Sequence, residues 1–148
     1  QEILRNIPCW PGKEQLAPDL GLCYNMRTMK KECMNMSDCL FCKIISGDIP
    51  STKVYEDELV YAFRDIHPQA STHVLFVPKA HIPDAQAITA ENARLVAHIF
   101  TVIPQVARQL GLEEGYRVVT NCGKHGCQSV QHLHFHLLGG NQLSETMA

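Results

Sequence analysis

Long hydrophobic runs are absent from this 148-residue chain. No stretch reaches the roughly 18 consecutive apolar residues that a membrane-spanning helix needs. Residues 1–20 also lack the apolar centre of a secretory signal sequence. We therefore expect a cytoplasmic protein that does not associate with a membrane.

Charge is sparse as well. Asp, Glu, Lys and Arg make up 19% of the chain, and the formal net charge is -2. Binding along a nucleic acid or an anionic membrane surface depends on a dense array of positive side chains. The composition therefore argues against both kinds of partner.

The chain also lacks the even number of cysteines that complete disulfide pairing would need. The chain has seven, and an odd number cannot pair completely within one chain. Without a secretory signal, reduced thiols and metal ligation are favoured over a disulfide framework. The seven are Cys9, Cys23, Cys33, Cys39, Cys42, Cys122 and Cys127.

Residues 1–36 show no sustained hydrophobic period, and prolines interrupt them. We interpret this segment as an N-terminal extension with little regular structure. The alternative is an arm that docks on the domain through Trp10. Residues 37–148 are then one domain, because a chain of this length supports a single core.

Hydrophobic patterns over residues 37–148 predict an α+β fold. The fold has a five-stranded antiparallel sheet, one long helix and a short N-terminal helix. Asp38 and Thr89 are the expected caps of the two helices, and an apolar stripe from Leu95 to Leu110 is expected to face the core. The predicted helices cover residues 39–45 and 90–110, and the predicted strands cover residues 53–55, 59–64, 73–78, 115–121 and 128–138.

The most informative stretch reads QHLHFHLLGG and ends at Gly140. Its histidines, His132, His134 and His136, alternate with apolar residues. In a strand, all three imidazoles would therefore face one side and the apolar side chains the other. Imidazole acts as nucleophile, proton carrier or metal ligand near neutral pH. The pattern favours a chemical site, and the alternative is a histidine-rich strand face in solvent.

This stretch resembles the signature of the histidine triad family of nucleotide hydrolases and transferases. Two further motifs in the family's order, CLFCKIISGDIP and AFRDIHPQASTHVLFVPKAHI, extend the resemblance over residues 38–142. The Gly139-Gly140 ending looks like the nucleoside phosphoramidase branch, and the CxxC motif is similar to the zinc type of some bacterial members. The resemblance implies a purine nucleotide substrate and a homodimer whose two sheets join into one.

The resemblance also implies roles for the triad. His134 would attack the α-phosphorus and form a nucleotidyl-imidazole intermediate, with the carbonyl of His132 fixing its tautomer. His136 would contact the phosphate and assist the leaving group, and Ser129 would donate its hydroxyl. For Ser129 and Asn121, ordinary loop hydrogen bonding is the alternative. The further residues implied on the phosphate side are Asn121, Cys127 and Gln128.

On the nucleoside side, the resemblance implies that the Asp65 carboxylate accepts hydrogen bonds from the ribose hydroxyls. Taken alone, an Asp at the end of a strand is an ordinary turn former. The residues implied to sandwich the base are Phe41, Ile44, Phe63 and Ile66.

Two positions are not explained by the resemblance. Cys127 lies where relatives commonly carry glycine, so we expect either an ordinary φ there or a shifted loop. His73 has no assigned task, and we expect a buried, hydrogen-bonded strand residue.

The resemblance gives a zinc site as well. Two thiolates and two imidazoles suit a closed, tetrahedral, structural zinc ion. The alternatives are a redox-active CxxC, thiols without metal, and a catalytic zinc held by the three triad histidines with an open water position. The implied ligands are Cys39, Cys42, His81 and His132.

The leading hypothesis is therefore a hydrolase of purine nucleoside phosphoramidates or acyl-adenylates. A third histidine supports it, because nucleotide-transferring relatives such as galactose-1-phosphate uridylyltransferase carry glutamine at the His136 position. The alternatives are a dinucleoside polyphosphate hydrolase and a zinc-stabilised nucleotide-binding protein with negligible turnover.

Overall fold

Two helices and five strands build the part of the chain that the computed structural model describes, residues 38–146. The predicted extension over residues 1–36 lies outside this part. The elements are α1 (Leu40–Ser46), β1 (Lys53–Glu56), β2 (Val60–Arg64), β3 (Thr72–Pro78), a 3-10 turn (Ala85–Ala87), α2 (Ala93–Gln109), β4 (Tyr116–Val119) and β5 (Phe135–Gly139).

The strands form one antiparallel sheet in the order β1-β2-β3-β5-β4. β3 and β5 are far apart in sequence and lie side by side, with Leu75 opposite His136 and His73 opposite Leu138. The predicted α+β fold with five antiparallel strands and two helices is confirmed. Its register brings β3 directly against the histidine-bearing strand.

The two faces of the sheet carry separate apolar clusters. On one face, the predicted stripe of α2 packs against β2, β3 and β5, and only Leu110 at its end is half-buried. Burial of each such side chain contributes about 1.5–3 kcal/mol relative to exposure. The other face carries a smaller cluster under α1, formed by Phe41, Ile44, Tyr61, Phe63, Leu75 and Val77.

Both helices begin later than predicted. Cys39, not Asp38, is the residue before α1, and it makes no side-chain cap. Asn92, not Thr89, is the residue before α2, and it makes no side-chain cap to the helix. Its Oδ1 accepts from the backbone N–H of Thr89 at 2.7 Å. α1 ends at Gly47, whose φ of 89° lies in the left-handed region. No helix among residues 38–146 is long and apolar enough to cross a membrane.

The predicted strand over residues 128–138 is wrong in its first half, since β5 begins only at Phe135. The physical reason is Pro78, which ends β3 and has no N–H to donate to a longer ladder. Leu133 instead donates its N–H to the carbonyl of Ile82 at 2.6 Å. The alternation of faces survives, because Leu133, Phe135 and Leu137 all lie in the core beneath α2.

Candidate active site and metal cluster

His134 is held in one tautomer. Its Nδ1 lies 2.7 Å from the carbonyl oxygen of His132. A carbonyl only accepts, so Nδ1 carries the proton and the lone pair of neutral imidazole is on Nε2. The side chain is 2% exposed and packs edge-on against Phe41, with 5.3 Å between ring centroids. The acceptor predicted for this nitrogen is confirmed, and the arrangement suits a nucleophile.

His136 belongs to a directed hydrogen-bond chain that the sequence did not reveal. The backbone N–H of Gln69 donates to Nδ1 of His73 at 3.2 Å, so His73 carries its proton on Nε2. That atom lies 2.8 Å from Nδ1 of His136. His136 therefore accepts on Nδ1 and carries its own proton on Nε2.

Two neighbours test this assignment. Burial lowers the pKa of His73, and the carboxylate of Asp65 and the carbonyl of His67 partly oppose this effect. The N–H of Gln69 points at Nδ1 with hydrogen-bond geometry. A carboxylate oxygen of Asp65 lies 3.5 Å from Nε2 of His73, which also favours a proton on that atom. His73 is buried and hydrogen-bonded, as predicted, and in addition it orients His136.

The Nε2 atom of His136 is buried and has no hydrogen-bond partner within residues 38–146. Burial, together with the neighbouring imidazoles of His134 and His73, lowers the pKa of His136 to about 4. At neutral pH the ring is uncharged and presents a single N–H donor. Its ring centroid is 5.0 Å from that of His134, so the two imidazoles are direct neighbours.

Three of the four residues predicted to sandwich a base lie in one apolar cluster. Phe41 and Phe63 meet edge to face at 5.5 Å, and Ile44 belongs to the same cluster. Asp65 is half-buried next to His73, and its Oδ1 accepts from the N–H of His67 at 2.8 Å. Ile66 is 85% exposed and lies outside this cluster. Its predicted contact with a base remains a prediction.

The loop between β4 and β5 is anchored beside His134, because the Thr120 hydroxyl donates to the carbonyl of His134 at 2.8 Å. Two bonds then close a turn: the N–H of Gln128 donates to Gly123, and that of Cys127 donates to Lys124, both at 3.1 Å. This is the 6→1 and 5→2 pattern of a Schellman turn, in which the second-last residue is left-handed and usually glycine.

Cys127 occupies that left-handed position. Its φ is 56°, and it is the single non-glycine residue with positive φ in the described part of the chain. The predicted alternative of an ordinary φ is therefore wrong: the loop keeps its turn and the cysteine adopts the conformation of a glycine. The turn is also tight, since a Cβ on Gly126 would approach the carbonyl oxygen of Cys122 to 2.5 Å.

Gln128, predicted to contact the nucleotide, uses its side chain to hold the loop. Oε1 accepts from the N–H of Gly123 at 3.0 Å, and Nε2 donates to Pro83 at 2.8 Å and to Val130 at 2.9 Å. Ser129 is exposed and Asn121 is half-buried. The nucleotide contacts predicted for these three residues remain predictions.

The four predicted metal ligands converge. Nδ1 of His132 lies 3.4 Å from Sγ of Cys39 and 3.6 Å from Sγ of Cys42, and Nδ1 of His81 lies 3.5 Å from Sγ of Cys42. Tetrahedral zinc with ordinary Zn–S and Zn–N bonds places sulfur and nitrogen about 3.5 Å apart. The donor set and its spacing therefore fit zinc, and this cluster is able to bind it.

His132 also has the outer contact that a ligating histidine requires. Its Nε2 lies 2.9 Å from the carbonyl of Pro78, which leaves Nδ1 unprotonated and facing the sulfurs. Burial lowers the pKa of His132 to about 4, so the ring is neutral. Within residues 38–146 no candidate metal group combines the three triad histidines. The alternative of a catalytic triad-bound zinc is therefore not supported.

Comparison with known families agrees with this geometry. The HIT domain family model matches residues 46–143, more than half of the chain. The chain belongs to the histidine triad family. The resemblance seen in the sequence is thereby confirmed.

Several relatives of this histidine triad domain are known. A 14 kDa zinc-binding protein of Zea mays is 52% identical over 110 residues, 73% of this chain and 86% of the relative. The purine nucleoside phosphoramidase of Escherichia coli (strain K12) is 46% identical over 112 residues, 75% of this chain and 94% of the enzyme. The structure of a HIT family hydrolase from Clostridium thermocellum superposes with a TM-score of 0.74 at 46% identity, covering 76% of this chain and 99% of that one. These relatives confirm the predicted hydrolase class.

Proposed function

We propose that this histidine triad domain hydrolyses purine nucleoside phosphoramidates or acyl-adenylates through a covalent intermediate on His134. One observation carries the proposal. A buried imidazole with its Nε2 lone pair set free by the His132 carbonyl lies beside a second imidazole with an unpartnered Nε2 donor. Similarity to a purine nucleoside phosphoramidase supports the substrate class.

In the first step, the Nε2 lone pair of His134 forms a bond to the α-phosphorus while the bond from phosphorus to the leaving nitrogen or acyl oxygen breaks. The proton stays on Nδ1 and is donated in a hydrogen bond to the carbonyl of His132, which stabilises the positive charge that develops on the ring. The leaving atom takes the bonding electron pair, and an amine leaving group needs a proton.

Solvent water supplies this proton, and neutral His136 is the proposed hydrogen-bond donor, which keeps its own proton. Its Nε2–H hydrogen-bonds the phosphoryl oxygen or the leaving atom, and the chain through His73 holds the ring in that orientation. In the second step, water attacks the phosphorus of the nucleotidyl-imidazole, the bond to His134 breaks, and the nucleoside monophosphate leaves. The proton released by the attacking water returns to solvent and balances the one that the leaving group took up.

The same proposal places the nucleoside across the face of the sheet under α1. Phe41, Ile44 and Phe63 form the apolar side for the base, and Asp65 accepts from the ribose hydroxyls. Ser129, Asn121 and the loop around Cys127 lie on the phosphate side.

The test is release of AMP from an adenosine 5′-phosphoramidate. Wild-type protein is expected to turn it over, and His134→Ala to lose turnover by about 10³-fold or more. The matched control is His98→Ala, because His98 bonds Asp57 at 2.7 Å and touches none of the proposed groups. Radiolabel from the α-phosphorus should be trapped on the peptide that contains His134.

Other outcomes separate the alternatives. Faster turnover of a dinucleoside polyphosphate than of the phosphoramidate would favour that hydrolase activity. Binding of AMP without release from any of these substrates would favour a nucleotide-binding protein. AMP release that survives in His134→Ala would reject the nucleophile.

We also propose that zinc occupies the cluster of Cys39, Cys42, His81 and His132, as similarity to a zinc-binding protein supports. A bound ion would cross-link α1 to the sheet. One zinc per chain is expected by elemental analysis of protein purified without chelator. Replacement of both cysteines by serine should remove the metal.

We further propose a homodimer in which β4 edges pair and extend the sheet. β4 is an edge strand of the sheet, and Tyr116 on it is 40% exposed. Phe100 on α2 is 50% exposed. Light scattering at micromolar concentration should give twice the chain mass, and a monomer would reject the arrangement. The cytoplasmic location remains a prediction from the sequence.

A further inference from the structure

His132 takes part in two sites at once. Its side chain belongs to the metal cluster, with Nδ1 3.4 Å from Sγ of Cys39 and 3.6 Å from Sγ of Cys42. Its backbone carbonyl accepts the Nδ1 proton of His134 at 2.7 Å. Any rotation of the His132 backbone that follows a movement of its side chain therefore moves the group that orients His134.

Phe41 forms a second connection. It lies on α1 between the two cysteines, and its ring meets those of His132 and His134 edge-on, at 6.0 and 5.3 Å between centroids. The cysteines fix α1 against the sheet through His81 and His132. The position of the Phe41 ring, against which His134 packs, therefore depends on the same cluster.

The backbone between these two sites is not fixed by the sheet. The ladder of β3 and β5 begins at Phe135, so His132 and His134 precede it. The N–H of His132 bonds the nearby carbonyl of Val130, a local contact that does not tie the segment to a strand. The peptide unit that carries the His132 carbonyl is held instead by the N–H of Leu133, which donates to Ile82 at 2.6 Å. Ile82 directly follows His81, so the position of this carbonyl depends on how firmly the cluster holds His81 and His132.

We propose that the cluster of Cys39, Cys42, His81 and His132, when it holds zinc, positions the nucleophile in addition to stabilising the fold. This inference rests on the proposed function of His134. It differs from the expectation for a structural zinc, whose removal lowers the melting temperature and leaves the turnover of the folded fraction unchanged.

The first test does not use activity. Hydrogen exchange of wild-type protein is measured with zinc and after its removal by a chelator, at a temperature where both forms are folded. Peptides that contain residues 130–136 are expected to exchange about tenfold or more faster without zinc, while α2 keeps its protection. Equal exchange in residues 130–136 would overturn the proposal.

The second test separates positioning from stability. His81→Asn removes a ligand that does not contact His134, and it is expected to lower kcat about tenfold with KM changed less than about twofold. Ile99→Val is the matched control, because it removes a methylene from the core beneath α2 and lowers the melting temperature without touching the metal cluster. The control is expected to keep kcat. An equal kcat in the two variants would contradict the proposal.

A third measurement covers the case in which metal-free protein or His81→Asn does not fold. Protein loaded with Co²⁺ in place of zinc is titrated with AMP, and its visible absorption bands are followed. Because coupling between two sites is reciprocal, AMP binding is expected to shift the bands and slow Co²⁺ release. Unchanged bands at an AMP concentration that saturates by calorimetry would overturn the coupling. Failure of wild-type protein to release AMP from the phosphoramidate would instead reject the proposed function.

Discussion

Replacement of Cys127 by glycine is expected to stabilise the protein. Cys127 has a φ of 56° at the left-handed position of the loop turn. This conformation costs a residue with a Cβ about 1–2 kcal/mol. Glycine removes that cost but gains freedom in the unfolded chain worth about 0.5–1 kcal/mol. The side chain of Cys127 is exposed, so little packing is lost.

The net effect of Cys127→Gly is therefore an increase of about 0.5–1 kcal/mol in the free energy of unfolding. With a urea m-value of about 2 kcal/mol/M, the midpoint of unfolding should rise by about 0.25–0.5 M. Equilibrium unfolding followed by far-ultraviolet circular dichroism measures this directly. The m-value should not change, because the turn is retained.

Two further variants in the same loop make the test strict. His125→Gly places glycine at an exposed position of ordinary φ, so it should lower the free energy of unfolding by about 0.5–1 kcal/mol. Cys127→Ala keeps a Cβ and removes the thiol, so it should behave like the wild type. If Cys127→Gly fails to raise the midpoint, or if both glycine variants shift it in the same direction, the reasoning from backbone strain is refuted.

Three other outcomes are expected. Burial lowers the pKa of His136 to about 4, so as the pH falls the unfolded chain binds a proton at this histidine before the folded chain does. The free energy of unfolding is therefore highest above about pH 6.5 and decreases as the pH drops towards 4. The loss is about 1–2 kcal/mol once solvent screening of this half-buried ring is allowed for, and urea titrations at several pH values should show a weaker pH dependence in His136→Asn. His73→Phe leaves Nδ1 of His136 without a donor and should lower kcat more than it changes KM; steady-state kinetics with unchanged kcat would contradict the orienting role. Gly126→Ala drives a Cβ against the Cys122 carbonyl and should destabilise by about 1–3 kcal/mol, whereas unchanged melting would show that the loop yields easily.

The local pattern of the triad stretch was sufficient to predict its two faces. Leu133, Phe135 and Leu137 lie in the core, as their alternation with histidine requires. The point at which the strand begins could not be read from the same residues. It depends on Pro78 in another strand, whose carbonyl is taken by the side chain of His132. A tertiary contact thus overrides the local preference for an extended ladder.

The metal cluster could likewise be predicted from the sequence, whereas the partner of His136 could not. The CxxC spacing in α1 placed Cys39 and Cys42 near each other, and the family resemblance supplied His81 and His132. The partner of His136 could not be found in this way. His73 reaches it only because β3 and β5 pair in a register that places Leu75 opposite His136, across more than sixty residues of chain. Nothing in the sequence near His73 encodes that register.

The hydrogen-bond chain that ends at His136 starts at a main-chain amide, the N–H of Gln69. A peptide N–H does not titrate in the physiological range, so it always acts as a donor. It therefore fixes the direction of the two hydrogen bonds that connect it to His136. The last imidazole must therefore meet its ligand as a donor. A substrate atom with a lone pair can accept the hydrogen bond from Nε2 of His136. A protonated amine carries only N–H donors and cannot accept it. In the proposed reaction, this donor would favour a leaving nitrogen that is still uncharged when the substrate binds.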